Sequence, residues 1–414
     1  MRSGYPWLLG FALSACMAST WAGAPDSVLA TLNIEANDSR GDQRRSVVLM
    51  DVQRQHSWRF PLRSIQGGPI EGQPMHTIIS NDKKEIYMTV GGNKDLPLRV
   101  VTLAVDWSGP SPSISVARVT KVLDANTVTQ QPSQAALCGA SASAPVPPAT
   151  QEGHGPNLSP DGRLLMFSEM NNNRLRVLDT RSGQLVGQPT THPTLKSPHG
   201  VYPNPGFDRA ATTQYELGGN QVALWHIDAA SGALRFDRAV TLSDGSVRCA
   251  VTHTVAWIND TQFYTGCTQE ASQGIKNAAQ QSVWLVDAAR GRAQVVLGPE
   301  QILEGVSDVA IAGDKLYVAE GNVFKEGVPP GHVSIWDISH RMRPAFIKRL
   351  SANRGLPAAF GDAHELEVSA DGRYVFAQSF RSGYLLKIDS RRDKVAQVWG
   401  AEQGMYMPHG FSSR

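Results

Sequence analysis

The chain has 414 residues, with 39 Lys and Arg against 37 Asp and Glu; a formal charge of +2 offers no dense basic face and argues against nucleic acid as a partner. Its 38 Gly and 25 Pro suit many short strands joined by turns. No segment after the N-terminal region is apolar enough to span a bilayer.

Residues 1–24 read as an export signal, in which Arg2 precedes an apolar run from Trp7 to Leu13 that is too short to cross a membrane. Two endings compete. Leu13-Ser14-Ala15-Cys16 has the form of a lipoprotein box, which would make Cys16 a lipid-bearing N-terminus and the only membrane attachment. Ala22-Gly23-Ala24 has the small-x-small form of an ordinary cleavage site, although Pro25 counts against it. Both endings place residues 25–414 outside the cytoplasm, in a periplasm or its equivalent. There, Cys249 and Cys267, which bracket an apparent strand pair, are expected to form a disulfide. Cys138 has no obvious partner.

Two patterns recur along residues 25–414. The first is an alternating apolar strand that ends in Asp and a turn, at Asp51, Asp106, Asp179, Asp228, Asp287, Asp337 and Asp389. A short carboxylate can accept hydrogen bonds from the next backbone amides, so each Asp is expected to close its turn. The second pattern lies on an earlier strand of each repeat. His154 leads through Ser159-Pro160-Asp161-Gly162-Arg163 to a strand at Leu164, and His364 leads through Ser369-Ala370-Asp371-Gly372-Arg373 to a strand at Tyr374. His76, His199, His253 and Asp308 begin equivalent units, and His409 begins a last unit that stops at Arg414.

Both counts reach seven. The truncated last unit supplies one strand, and the residues from Val28 to Leu62 supply the remaining three. Joining the ends completes a blade and removes exposed sheet edges. The expected fold is therefore all-β: a single seven-bladed β-propeller over residues 25–414, with its closing blade shared between the termini. Residues 127–153, rich in Ser, Ala and Pro and without apolar period, read as a surface insertion suited to a lid or docking loop. Asn353 to Gly361 is a second irregular stretch.

The recurring hairpin, strict at Ser159-Pro160-Asp161-Gly162-Arg163 and altered at Ser369-Ala370-Asp371-Gly372-Arg373, resembles that of a broad propeller superfamily. The superfamily includes lactonase-like proteins, amine dehydrogenase heavy chains and the propeller part of nitrous oxide reductase. The resemblance implies a fold and leaves function open.

The first strand of each blade faces the central channel, so its marked residues should form a ring of His76, His154, His199, His253, His364 and His409, with Asp308 in the seventh blade. These six account for most of the chain's 11 His. Three readings compete: a metal centre, recognition of a polar or anionic small molecule, and structural hydrogen bonding. Crowded, buried imidazoles resist protonation and keep their lone pairs. Such donors suit copper, zinc, iron or nickel, and six exceed what one zinc needs, which points to more than one ion.

The ring looks like the histidine-lined site of nitrous oxide reductase, which holds a multinuclear copper-sulfide cluster. By that resemblance the six His would be copper ligands, with zinc or iron as alternatives. Asp308 departs from the all-His pattern and would ligate a harder ion, orient a His or carry a proton.

The leading expectation is an extracytoplasmic copper-dependent oxidoreductase acting on a small molecule, with Asp308, Glu365 or Tyr406 as proton donor or orienting group. The sequence carries neither a haem-attachment motif nor a nucleotide-binding loop, so electrons would pass to a separate carrier or directly to the substrate. The alternatives are a metal-dependent lactonase or other hydrolase, and a non-enzymatic propeller that binds metal or a partner. Met75, Met405 and Met407 stand near the ring positions as thioether ligands or core filling.

Overall fold

Each of the seven recurring aspartates closes a turn after the third strand of a sheet. Asp51 accepts the amides of Gln53 and Arg54 at 2.9 and 2.8 Å, and Asp228 accepts those of Ala230 and Ser231 at 2.9 and 3.1 Å. Asp106, Asp179, Asp287, Asp337 and Asp389 do the same. The other hairpin also repeats its chemistry. The Ser80, Ser159 and Ser369 hydroxyls donate to Asp82, Asp161 and Asp371 and accept the amides that open the second strands.

The computed structural model describes residues 23–34, 45–91, 97–122, 152–215, 219–245, 247–268, 281–321 and 330–414. Residues 1–22 of the expected signal, Cys16 included, and residues 127–151 of the expected insertion, Cys138 included, lie outside them. Gly153, assigned to the insertion, already belongs to an inner strand, Gly153–Leu158.

The described strands form seven antiparallel blades around a central axis. The first blade runs outward through Gln73–Ile79, Glu85–Gly91, Arg99–Asp106 and Ser113–Lys121. The inner strands of the next five are Gly153–Leu158, Tyr202–Pro203, Val251–Trp257, Val306–Ala312 and Ala363–Val368. The seventh blade draws Pro408–Ser413 from the C-terminus and Val28–Asn33, Ser46–Asp51 and His56–Pro61 from the N-terminal part. The expected sharing of the closing blade is thus present. The amides of Val28 and Arg414 exchange hydrogen bonds at 2.7 and 2.9 Å.

Seven apolar clusters fill the seven gaps between neighbouring blades. Alternation along a strand serves both gaps at once. Val28, Ala30 and Leu32 face the first blade, while Leu29 faces Phe376 and Trp399 of the sixth. Cys249 and Cys267 are disulfide-bonded, with Cα atoms 5.5 Å apart.

Candidate metal centre

The strands that carry Asp308 and five of the six histidines are bent at or beside those residues. Register shifts fall between Pro74 and His76, His154 and Asn157, Thr252 and Val255, Val306 and Asp308, and Ala363 and Glu365. The closing blade has another beside His409. His199 precedes its short strand, and its amide bonds the Thr213 carbonyl at 3.2 Å. A bulge re-aims the side chain at its position, and here it turns the imidazoles inward. Gly410, at φ +58°, makes one such bend possible: a Cβ there would lie 2.4 Å from the His76 Cα.

The six imidazoles close a ring in blade order. Centroid distances are 4.9 Å for His76–His154, 4.6 Å for His154–His199 and 4.0 Å for His199–His253. The circuit continues at 5.1 Å for His253–His364, 5.3 Å for His364–His409 and 4.5 Å for His409–His76. All six are buried. Tyr215 packs against His199 and His253, and Phe380 against His364 and His409.

Several ring nitrogens are fixed by acceptors, and others face only one another. His154 Nε2 donates to Glu152 Oε2 at 3.0 Å, and His409 Nδ1 donates to the Met75 carbonyl. Each interaction places the proton on that nitrogen and leaves the opposite one as a lone pair. Glu365 is held likewise. Its Oε2 accepts from Gln378 Nε2 and from the Gly410 amide, while Oε1 makes no hydrogen bond and lies 3.8 Å from His76 Nδ1 and 3.7 Å from His409 Nε2.

Both nitrogens of His199, His253 and His364 are buried without hydrogen-bond partners, as is His409 Nε2. Buried polar atoms are rarely left so, and each costs about 1–3 kcal/mol unless something binds it. Among the described residues, two groups bring ligand atoms within 4.8 Å of one another: His76, His154 and His199, and His76, Glu365 and His409. A three-histidine and a two-histidine-one-carboxylate set can each hold a metal ion.

Burial sets the electrostatics. It holds His76, His199 and His364 well below the usual imidazole range, with neighbouring imidazoles adding to the effect, and lowers His253 to about 3 and His409 to about 4. Burial also raises Glu365, with Asp308 adding to it, and pushes Asp308 up to about 7.

Two expected site residues lie outside the ligand groups, Asp308 in the lining of the adjoining cavity and Tyr406 in a connector. Asp308, expected as a ring member and metal ligand, belongs to neither ligand group. Its oxygens accept the Val309 and Leu366 amides at 2.6 and 2.7 Å, and the His253 and His364 rings meet without it. Tyr406, expected as a proton donor, does not line the channel. It lies in the connector before Pro408–Ser413, where its amide bonds Asn33 and the Arg59 guanidinium covers its ring at 5.3 Å. Met405 fills the gap between the sixth and seventh blades, and Met407 packs against the core on the other side of the seventh blade.

A cavity of about 320 Å³ continues from the ring along the inner strands. His76, His199 and His253 line its ring end, and Asp308, Glu365 and Glu367 contribute carboxyls to its lining. The partners Glu152, Tyr215 and Phe380 escaped sequence reasoning, although Glu152 sits only two positions before His154 and His-Gly pairs mark two of the bends, at His154 and His409.

No protein-family profile matches this chain, and no curated protein matches it. Solved structures do. A hypothetical selenium-binding protein from Sulfolobus tokodaii superposes with a TM-score of 0.61 at 13% identity, over 94% of this chain and 93% of that one. A putative 6-phosphogluconolactonase from Bacteroides fragilis NCTC 9343 gives 0.60 at 12% identity, over 94% and 98%. Hydrazine synthase of Kuenenia stuttgartiensis gives 0.54 at 14% identity, over 81% and 90%. The likeness to lactonase-like propellers is borne out as a likeness of fold.

Proposed function

We propose that the ring is a transition-metal centre, with copper as its metal, and that the protein is an extracytoplasmic oxidoreductase acting on a small molecule. The observation that carries this reading is the convergence of six buried imidazoles, four of which keep at least one nitrogen without a partner, while Glu152 and the Met75 carbonyl fix the outward nitrogens of His154 and His409. Metal ligation offsets the cost of those nitrogens in one step. Among divalent first-row ions copper binds nitrogen donors most strongly, and imidazole is a donor it favours.

The cavity supports a choice of substrate class. Asp308, Glu365 and Glu367 line it, and burial holds all three carboxyls toward their neutral forms, so a neutral polar molecule that can hydrogen-bond to them is favoured. Asp308 stands between the ring and the open channel with its carboxyl near neutrality, a placement suited to holding a proton. Electrons would pass to an external carrier or directly to the substrate. The Cys249–Cys267 disulfide supports an oxidising compartment, whether the chain is free or lipid-anchored at Cys16.

Glu365 favours a second reading. Two His and one Glu also form a zinc or iron donor set, and with zinc it would support metal-assisted hydrolysis, lactones included. Elemental analysis of protein purified from its native compartment tests both. Stoichiometric copper with a visible spectrum is expected, zinc alone would select the hydrolase, and a substoichiometric total of all transition metals would overturn the metal centre.

A further inference from the structure

Among the described residues, His76 is the imidazole that belongs to both ligand groups. Its ring neighbours His154 and His409 each commit one nitrogen to an acceptor that is not an imidazole and turn one lone pair inward. His76 has both nitrogens directed at the site. Its Nε2 lies 3.0 Å from His154 Nδ1, in the group completed by His199. Its Nδ1 lies 3.8 Å from Glu365 Oε1, which is itself 3.7 Å from His409 Nε2. The two ligand groups share His76 and take opposite edges of its ring.

The spacings suit bonds to metal. Ligands of one ion held at ~2.0–2.1 Å stand roughly 3–3.5 Å apart. The His76–His154 separation fits unchanged, and the Glu365 separations need a closure of a few tenths of an ångström. A hydrogen bond from His76 Nε2 to His154 Nδ1 would explain one of these contacts in the metal-free protein. It leaves Glu365 Oε1, His409 Nε2 and both nitrogens of His199 without partners.

We propose that His76 bridges two transition-metal ions as an imidazolate, with His154 and His199 completing the protein ligands of one ion and Glu365 and His409 those of the other. This rests on the reading of the ring as a metal centre. Neutral His76 carries one N–H. Binding of the second ion displaces that proton to solvent and leaves a lone pair on each nitrogen, with no electron transferred. The resulting negative ring, with the Glu365 carboxylate, offsets the charge of two buried cations.

The bridge can be tested on the full chain, stripped of metal and titrated with Cu(II) alone. The expected result is two ions per chain, with a low-temperature electron paramagnetic resonance signal integrating to far fewer than two spins, because the shared ring couples them. The His154→Ala and His409→Ala variants are each expected to keep one ion with a full single-spin signal. Anomalous scattering is expected to place two peaks about 6 Å apart, on opposite edges of the His76 ring, from metal–nitrogen bonds of ~2 Å on each side. One ion per chain, two uncoupled spins, or coupling that survives in His76→Gln would each overturn the bridge while leaving the metal centre in place. Failure to bind Cu(II) at all would overturn both. The spin count on the unaltered protein does not depend on any variant folding.

Discussion

The aspartates after the third strands and the residues that mark the inner strands each recur once per blade, yet they meet opposite fates. Every one of the seven aspartates finds its partners within three residues, at a turn it closes itself. Among the six histidines, by contrast, three are buried with neither nitrogen bonded. A repeated residue that satisfies itself locally is explained by the turn it makes. A repeated residue left unsatisfied at the centre points to something from outside the chain, since buried donors and acceptors without partners are costly.

The largest effect is expected from His199→Ala. It removes a ligand whose nitrogens bond to nothing in the metal-free fold, so copper affinity should fall by more than ~100-fold, comparable to the larger losses seen for metal-site changes. The metal-free melting temperature should fall only by what the lost packing against Tyr215 and the neighbouring imidazoles costs, no more than in His199→Leu, because no hydrogen bond is lost. Calorimetry with and without metal checks this, and a large loss of metal-free stability would return the histidine to a structural role.

Gly410→Ala attacks the backbone that aims the ring. A methyl group at φ +58°, meeting the His76 Cα at 2.4 Å, is expected to cost about 1–3 kcal/mol, read as a lower urea midpoint. Glu152→Gln tests the fixing of His154. The fold should persist while metal affinity drops by ~10–100-fold, as measured by competition with a chelator.

Acid acts with opposite sign on the ring imidazoles and on the three carboxyls of the cavity. His253 and His409 are lowered to about 3 and about 4, and His76, His199 and His364 lie well below their usual range. Below the ordinary imidazole value of ~6.5 the unfolded chain takes up protons that the folded ring refuses, so metal-free stability falls as pH falls. Asp308, Glu365 and Glu367 act oppositely, holding protons in the folded state that the unfolded chain releases. Five imidazoles outweigh three carboxyls. The urea midpoint should therefore drop between about pH 6.5 and about pH 5, at up to ~1.4 kcal/mol per pH unit for each net proton, and more steeply in Asp308→Asn.

The smallest effect belongs to the outer positions. Asp179, Asp228 and Asp337 sit below the usual carboxylate range because backbone amides bond their charged forms at exposed turns. Asp228→Ala should lower the melting temperature by ~2 °C or less and leave metal content unchanged.

Much of the fold was legible because its signals are local. An Asp that closes a turn and a Ser-x-Asp hairpin leave their marks within five residues, and seven copies of them define a ring. The histidine positions were legible because blade geometry sends equivalent residues to one axis. Glu365 was visible as a residue beside His364, yet its place among the ligands was not. That place depends on Gln378 from the neighbouring strand and on the Gly410 amide from the next blade, which hold one carboxylate oxygen and leave the other facing two imidazoles.

The sequence by itself determined the repeat, its number, the closure through the two ends and the identity of the residues that meet at the axis. Only the tertiary structure decided how they meet. The bulges are one-residue departures from strand period and carry no compositional mark beyond an occasional His-Gly pair. They set which nitrogen of each imidazole faces inward. They also left Asp308 bonded to backbone amides outside the ligand groups and Tyr406 outside the channel. Repetition determines which residues converge, and backbone irregularity at each strand determines which of their atoms are free to bind.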